Sequence, residues 1–279
     1  MVAPEHVIDG EALFAGWMFD HFGHFLTESL GRSWAMPLAG RGMPILCLCT
    51  PPDLPGNSAG WLDVLGLDPG RFEVPRVPTL VRRLIVPDAC LEIGTYAHER
   101  AAEALQVMGD RLDDGQAMTG QPLYLSRAGL TTRRRLQGEA VFEEYLRREG
   151  FRVIRPETLP LAEQIAIIRR HRVIVGPRGS AFHLALFTRH HPTMHLLSEP
   201  PPVGYGNYLM MADVLDAPAV FVACCRLPEA GDTGAGGLPF DRIMAAEHLR
   251  REGLVRRPGM LHDLIRAESA VAAGAEVGR

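Results

Sequence analysis

The sequence contains no lysine: all 29 basic residues of this 279-residue chain are arginines. This absence excludes Schiff-base chemistry and a P-loop lysine. Any basic side chain that contacts an anion must therefore be an arginine, which stays charged and can donate two parallel hydrogen bonds. With 33 acidic residues the formal net charge is −4, so the composition gives a nucleic-acid partner no global electrostatic support.

Long apolar runs and a disulfide framework are also lacking. No apolar stretch approaches the roughly 20 residues that a membrane span needs. The N-terminal residues are acidic and lack a signal-peptide core. The cysteines are odd in number, five, and lie mostly in apolar, strand-like runs, which indicates reduced core thiols in a cytoplasmic protein. Peripheral association with a membrane, through a partner or a lipid-linked substrate, stays open.

The composition is ordinary for a soluble globular protein, with 47% hydrophobic and 22% charged residues. The chain divides near residues 113–121, where the run DDGQAMTGQP supplies two glycines and a proline. We therefore predict three units. These are a small N-terminal α/β domain over 1–115, a second α/β domain over 121–225, and a C-terminal loop with helices over 226–279.

The segment from residue 121 to 187 reads as strand, helix, strand, helix, strand, glycine turn and helix. Its apolar runs are short, as expected for parallel strands that helices cover on both faces. In such sheets ligands bind outside the carboxyl ends of the strands. Arg127, Arg155 and Arg178 stand at or next to those ends. The segment therefore predicts a site for a phosphorylated ligand.

The glycine turn is the strongest local signal, with Gly176, Arg178, Gly179 and Ser180 in the run GPRGS. A turn that opens a helix exposes backbone N–H groups and the positive end of the helix dipole, which suits a phosphate. The run matches neither a P-loop nor G-x-G-x-x-G. The purely structural alternative is a strand-to-helix turn with Ser180 as the N-cap. The arginine at its tip favours phosphate contact.

Histidines and a glutamate form a second candidate site near the N-terminus. If a helix begins near His24, then His24 and Glu28 share a face, and Arg32 follows one turn later. An imidazole beside a carboxylate can act as a general base, and His21 is the competing base. His-x-x-x-Glu also suits a metal, with a third ligand from elsewhere. The structural alternative is a partly buried histidine beside a Glu–Arg surface pair.

Two further polar clusters are interpreted as surface features. The arginine run at residues 133–135 is a solvated face or a second anion patch. His190, His191 and His195 flank a predicted strand, and we interpret them as surface histidines with no metal.

At this point the sequence resembles a known family. The run PLYLSR, followed by GFRVIRPETLPLAEQIAIIRRHRVIVGPRGSAFHLALF, is similar to the catalytic-domain signature of glycosyltransferase family 61, which includes bacterial capsular-polysaccharide proteins. The earlier run GWMFDHFGHFLTESLGRSWAM resembles that family's N-terminal segment. The resemblance covers roughly residues 13–223, with several blocks in the same order.

The resemblance implies a GT-B-like architecture, with two Rossmann-like domains facing across a cleft, and an inverting transfer of a sugar. The donor-side motif positions in this sequence are Arg127, Glu163, Gly176, Arg178, Gly179 and Ser180. The acceptor-side positions are His24, Glu28 and Arg32. Many relatives have Gly-Pro-His-Gly where this chain has Gly-Pro-Arg-Gly. The fixed charge of Arg178 fits stabilisation of a leaving group and argues against base chemistry there.

The resemblance therefore predicts a cytoplasmic glycosyltransferase of capsular or extracellular polysaccharide synthesis. The donor is expected to be a nucleotide diphosphate sugar, linked to UDP, and the acceptor a carbohydrate hydroxyl. No cofactor or metal is expected, consistent with the absence of an Asp-x-Asp motif. Two alternatives stay open. One is a catalytically degenerate nucleotide-sugar-binding module. The other is a metal-dependent hydrolase that uses His21, His24 and Glu28.

Overall fold

Two parallel β-sheets, one in each half of the chain, form the framework of the protein. The computed structural model describes residues 3–40, 42–50, 53–131, 135–200, 205–226 and 237–277. The N-terminal sheet has the order β3-β2-β1-β4. Its strands are β1 (His6–Trp17), β2 (Ile45–Leu48), β3 (Phe72–Glu73) and β4 (Thr79–Ile85). The long β1 pairs in parallel with both β2 and β4, so the carboxyl ends of these strands share one edge.

The helices of the N-terminal half lie around this sheet. They are α1 (Phe22–Thr27), a 3-10 helix (Ser29–Leu38), α2 (Gly56–Val64), a 3-10 turn (Pro69–Arg71) and α3 (Glu99–Arg111). A short antiparallel ribbon, β5 (Leu91–Glu92) with β6 (Tyr96–Ala97), precedes α3. The single helix predicted from residue 24 onward is wrong, because it breaks after Thr27. Ser29 Oγ accepts a hydrogen bond from Phe19 N at 2.9 Å, and such side-chain bonds compete with a continuing helix.

The C-terminal sheet has five parallel strands in the order β11-β10-β9-β7-β8. They are β7 (Leu123–Leu125), β8 (Arg152–Ile154), β9 (Val173–Pro177), β10 (Thr193–Ser198) and β11 (Ala219–Ala223). The helices of this half are α4 (Glu139–Arg148), α5 (Leu161–Ile168), a 3-10 helix (Ser180–Phe187), α6 (Gly206–Leu215), α7 (Arg242–Arg251) and α8 (Pro258–Val277). The predicted α/β class and the strands of this half are confirmed.

The order of these strands creates a crevice at one edge of the C-terminal sheet. Counted from β7, the order is 2-1-3-4-5, so the chain leaves β7 toward β8 on one side and reaches β9 on the other. Connections that diverge in this way open a crevice at the carboxyl ends of the two central strands. Here those strands are β7 and β9, which pair directly. The candidate site is therefore expected just beyond Leu125 and Pro177.

One apolar cluster spans both halves of the chain, and a second cluster lies within the C-terminal half. Leu13 and Phe25 of the first half belong to the same buried cluster as Ile165 and Phe187 of the second. Helix α3 lies between them and contacts both long 3-10 helices. A Cβ at Gly109 of α3 would lie 2.5 Å from the carbonyl oxygen of Phe187, so α3 packs there backbone to backbone. In the described residues no helix is both long and apolar enough to cross a membrane.

Candidate active site

A cavity of about 450 Å³ opens at the crevice between β7 and β9. We call it the switch-point cavity. Both halves of the chain line it, with Phe22, Trp61, Leu125, Ser126, Arg127, Leu130, Pro156, Glu157, Leu159, Pro160, Leu161, Gln164, Pro177, Gly179, Ser180 and Ala181. Its walls are largely apolar, with an arginine and a glycine turn at one side. That composition is typical of sites that hold an organic ligand with a charged group.

Arg127 is the arginine that lines the cavity, as predicted from its place after β7. Its backbone N–H donates to Glu139 Oε1 at 2.9 Å, and its Nη1 donates to the carbonyl oxygen of Arg178 at 3.2 Å. A Cβ at Gly179 would lie 2.9 Å from Arg127 Nη1, so the guanidinium lies directly against the glycine turn. Arg127 and Arg178 therefore share one sheet edge, as the sequence predicts.

Two buried glutamates of α4 support this strand end. Glu139 accepts from Tyr124 Oη at 3.0 Å as well as from Arg127 N, and burial raises its pKa. Burial alone would raise the pKa of Glu143 too, but hydrogen bonds from Arg155, Ser126 and Arg147 outweigh it and lower that pKa. The carboxylate of Glu143 is 2% exposed and receives both ends of the Arg155 guanidinium.

Arg155, predicted as a donor contact, is held in this ion pair with Glu143 at 3.0 Å and is absent from the cavity lining. An arginine at a strand end pairs with a buried carboxylate beside it, because that carboxylate would otherwise be a buried charge without a partner, which is costly. In this structure Arg155 supports the end of β7 through Glu143, and its contact with the donor stays a prediction.

Arg178 does not point into the cavity with Arg127. Its guanidinium lies 3.1 Å from Glu199 and over the ring of Tyr205, 5.9 Å from the centroid. The backbone N–H of Arg178 donates to Leu197 O at 2.9 Å, so the residue continues the β9–β10 ladder toward Glu199 beyond β10. Only 10% of the Arg178 side chain is exposed. Its contact with a ligand phosphate stays a prediction.

The other predicted donor-side positions divide between packing and lining. A Cβ at Gly176 would lie 2.6 Å from the carbonyl oxygen of Leu125, so this glycine permits close approach of β9 to β7. Gly179 and Ser180 line the cavity. Gly179 is the N-cap of the 3-10 helix and Ser180 begins it, so the structural alternative with Ser180 as the N-cap is wrong. Glu163 is exposed and outside the lining, whereas its neighbour Gln164 faces the cavity.

The N-terminal histidine segment approaches the glycine turn through Gly23, which lies between the two histidines. Helix α1 follows β1 and packs on the 3-10 helix that begins at Ser180. A Cβ at Gly23 would lie 3.0 Å from Ser180 Cβ. His24 Nδ1 contacts Glu28 Oε1, and the rings of His21 and His24 lie 4.9 Å apart between centroids. His21 and His24 are both exposed. The predicted imidazole–carboxylate pair is thus present beside the switch-point cavity.

Arg32, predicted one helical turn beyond Glu28, does not share that face. Because α1 ends at Thr27, Arg32 lies in the following 3-10 helix and its Nε donates to Pro87 O at 2.9 Å. Its guanidinium also lies 5.7 Å from the centroid of the Phe14 ring. The side chain is held at the carboxyl edge of the N-terminal sheet, away from the histidine pair. Its predicted acceptor contact is not supported by this position.

A buried histidine that the sequence reasoning missed lies behind the pair. His183 is 5% exposed, stacks on Tyr208 at 5.4 Å between centroids, and has no hydrogen-bond partner on either ring nitrogen. Side chains three apart eclipse in a 3-10 helix, so His183 lies beneath Ser180. Burial, and then neighbouring His24 and His21, lower its pKa to about 4. It is neutral at physiological pH.

The remaining histidine interpretations divide. His191 is exposed, His190 is half-buried, and His195 lies buried in β10, 3.0 Å from His248, so its interpretation as a surface histidine is wrong. His195 is buried because it lies within β10, an apolar strand in which five of the six residues are buried. Among the described residues, no three His, Cys, Asp or Glu side chains form a group that could hold a metal ion. Two of the arginines in the run at 133–135 lie outside the described residues.

Comparison with known proteins identifies the family. Glycosyltransferase 61 matches residues 22–195, which include His24, Glu28 and the glycine turn but not His21. No curated protein matches the chain. Among solved structures it is similar to the iron-containing dodecameric glycosyltransferase TibC from enterotoxigenic E. coli H10407, at 14% identity and a TM-score of 0.35. That match covers 68% of this chain and 59% of TibC's. The chain belongs to glycosyltransferase family 61.

Proposed function

We propose that the protein is an inverting glycosyltransferase. It transfers a sugar from a nucleotide diphosphate sugar, linked to UDP, to a carbohydrate hydroxyl. The observation that carries the proposal is the contact between Gly23 and Ser180. That contact sets an imidazole–carboxylate pair of one half beside a glycine turn and an arginine of the other. His21, His24 and Glu28 lie outside the cavity lining, so the proposal brings the base to the phosphate site through the junction of Gly23 with Ser180.

The donor side supplies positive charge to the departing diphosphate. Arg127 lies against Gly179, and the 3-10 helix that begins at Ser180 directs its leading N–H groups toward the same place. Charge that develops on the leaving group meets donors that are already oriented, and in many enzymes such stabilisation contributes most of the rate enhancement. In this geometry Arg127 makes the basic contact, and Arg178 joins it only by leaving Glu199.

The acceptor side supplies a general base. Glu28 engages His24 Nδ1, which orients the ring and leaves Nε2 as the nitrogen that takes the proton from the acceptor hydroxyl. The oxygen then attacks the anomeric carbon opposite the leaving diphosphate, and the configuration inverts. No step of this mechanism needs a metal. A GT-B arrangement and a role in capsular or extracellular polysaccharide synthesis complete the proposal.

The test is a transfer assay with a panel of nucleotide sugars and purified protein. His24→Gln is expected to lower transfer by roughly 10²–10⁴-fold with nucleotide affinity unchanged, because a general base acts in the transition state. Arg127→Met is expected to weaken nucleotide binding by about 1.5–3 kcal/mol, the worth of a hydrogen bond to a charged group. His262→Gln, an exposed histidine of α8, serves as the matched control.

The outcomes separate the alternatives. Transfer at the wild-type rate by both His24→Gln and His21→Gln would remove the histidine mechanism. Nucleotide binding without transfer or donor hydrolysis would indicate the degenerate binding module. Loss of activity on chelation, with metal found by elemental analysis, would indicate the metal-dependent hydrolase.

A further inference from the structure

A glutamine at the start of α5 faces the switch-point cavity with half of its amide engaged. Gln164 Nε2 donates to Leu159 O at 2.8 Å, which fixes the amide so that Oε1 is the remaining polar atom. Gln164 is 8% exposed, and its Oε1 is itself buried and has no hydrogen-bond partner, so a ligand reaches it only by a small shift of the cavity wall. Native proteins leave few buried acceptors unpaired, so each such atom calls for an explanation. A ligand that carries an N–H group supplies one.

The walls around Gln164 suit a flat ring. Leu159, Pro160 and Leu161 precede it on the C-terminal side of the cavity. Trp61 and Phe22 lie on the side contributed by the N-terminal half, 5.3 Å apart between ring centroids. An apolar slot with an aromatic wall holds a planar heterocycle by stacking, and a lone acceptor within it selects for a donor on the edge of that ring.

The remaining polar groups of the cavity set the direction of the ligand. Arg127 and the turn at Gly179 suit the diphosphate. Glu157 lies in the segment between β8 and α5 and also lines the cavity. Its carboxylate is exposed and can accept hydrogen bonds from sugar hydroxyls. A nucleotide laid across these groups puts its phosphates at Arg127 and its base at Gln164.

We propose that Gln164 is the residue that recognises the nucleobase of the donor, with Oε1 accepting a hydrogen bond from an N–H on the base edge. The inference rests on the proposed function, since it requires that a nucleotide occupies the switch-point cavity. It adds a specificity-determining residue to a site whose phosphate end was predicted from the sequence. The affinity for a nucleotide then depends on whether the edge of its base places an N–H group within hydrogen-bond distance of Gln164 Oε1.

The test measures affinities of UDP, dTDP, GDP, ADP and CDP, with inorganic pyrophosphate as the ligand that lacks a base. Calorimetry compares wild type with Gln164→Met, which keeps side-chain length and removes both amide groups. The preferred nucleotide is expected to lose about tenfold in affinity, the worth of one well-made hydrogen bond. In Gln164→Met the differences in affinity among the five nucleotides are expected to become smaller. The affinity for pyrophosphate is expected to stay unchanged.

Gln121→Met is the matched control. Gln121 Nε2 also donates to a backbone carbonyl, that of Gly150, at 2.8 Å, but the residue is exposed and outside the cavity. This variant is expected to retain the wild-type affinities. Unchanged affinity and unchanged base preference in Gln164→Met would overturn the inference and leave the proposed function standing. If none of the five nucleotides binds wild type, both fail together.

A second measurement on the wild-type protein covers the case in which Gln164→Met does not fold. The preferred nucleotide is compared with its form methylated at the base N–H, which is N3-methyl-UDP for uracil, N1-methyl-GDP for guanine or N6,N6-dimethyl-ADP for adenine. A loss of about tenfold or more is expected, because methylation removes the hydrogen that Oε1 accepts. Equal affinity for the methylated form would overturn the assignment of Gln164.

Discussion

The ion pair between Arg178 and Glu199 decides what a mutation at the glycine turn does. Both side chains are largely buried, at 10% and 12% exposed. Removing one partner of a buried pair leaves an uncompensated charge, which costs about 3–5 kcal/mol. We therefore expect Arg178→Ala to lower the free energy of unfolding by about 3 kcal/mol in urea denaturation. A loss of ligand affinity in Arg178→Ala can therefore result from lost stability instead of a lost contact with the ligand.

The Glu199→Gln change separates these two roles. In the double variant Arg178→Ala/Glu199→Gln most of the lost stability is expected to return, because no buried carboxylate stays unpaired. If Arg178→Ala instead keeps wild-type stability and loses nucleotide affinity, then Arg178 contacts the diphosphate as the sequence predicted. Urea titration and calorimetry on the same samples distinguish the two results.

The buried His195–His248 pair predicts a loss of stability in mild acid. Burial, and then the charge of His248 on α7, lower the pKa of His195 to about 4, with Glu252 opposing the shift. A folded-state pKa below the unfolded value of about 6.5 means that the unfolded chain takes up the proton first. Stability is therefore lost as the pH falls from about 6.5 to about 4, by roughly 3 kcal/mol for this residue.

Urea denaturation at several pH values checks this sign. His195→Leu is expected to flatten the slope of unfolding free energy between pH 6.5 and 4, where His183 continues to contribute in the same direction. His262→Leu is the control, because that ring is exposed on α8. A slope that is identical in wild type and His195→Leu would contradict the buried, neutral state of this ring.

Which side chain faces the cavity was only partly predictable from the sequence. Arg127 follows its strand, and the strand end fixes its place. Glu163 and Gln164 are neighbours on α5, so their side chains leave the helix in different directions. Which of the two meets the cavity depends on how the helix packs. Arg155 and Arg178 do not line the cavity, because they form ion pairs with Glu143 and Glu199, 12 and 21 residues away in the sequence. No local pattern reports such partners.

Among the elements, the close approach of β9 to β7 gives the clearest prediction. A methyl group at Gly176 would meet the carbonyl oxygen of Leu125 at 2.6 Å, so the two strands must separate to admit it. We expect Gly176→Ala to lower the free energy of unfolding by about 1–3 kcal/mol and to weaken nucleotide binding, because both strands end at the cavity. Urea denaturation and calorimetry measure the two effects.

Gly10→Ala in β1 is the matched control for this change. A Cβ at Gly10 meets nothing within 4 Å, so the substitution adds the same methyl group to a strand without displacing backbone. We expect a change within about 0.5 kcal/mol. Equal effects of the two substitutions would show that β9 and β7 tolerate separation and that Gly176 is not needed for their packing.

The strands of the C-terminal sheet were predictable because short apolar runs at regular spacing are a local signal. The pattern of strand, helix, strand, helix and strand predicted for residues 121–187 is observed as β7, α4, β8, α5 and β9. The break between α1 and the 3-10 helix Ser29–Leu38 was not predictable. It depends on a hydrogen bond from Phe19 N to Ser29 Oγ and one from Arg32 Nε to Pro87 O, which form only once β1 and β4 are in place. Tertiary contacts override helical propensity there.

For the whole molecule, the shared core predicts that both halves unfold together. The chain's three tryptophans, Trp17, Trp34 and Trp61, all precede α3, so their fluorescence reports the N-terminal half. Far-UV circular dichroism follows helices in both halves. Because α3 contacts both long 3-10 helices and one apolar cluster spans both halves, we expect the two signals to give the same urea midpoint.

Gly109→Ala tests the coupling at its tightest contact. Alanine improves helix propensity by up to about 1 kcal/mol, yet its methyl group would lie 2.5 Å from Phe187 O, where α3 meets the second half. We expect the contact to outweigh propensity, so that the midpoint falls for fluorescence and circular dichroism alike. A fluorescence transition that separates from circular dichroism in wild type would contradict one cooperative unit. The two halves would then unfold as separate units.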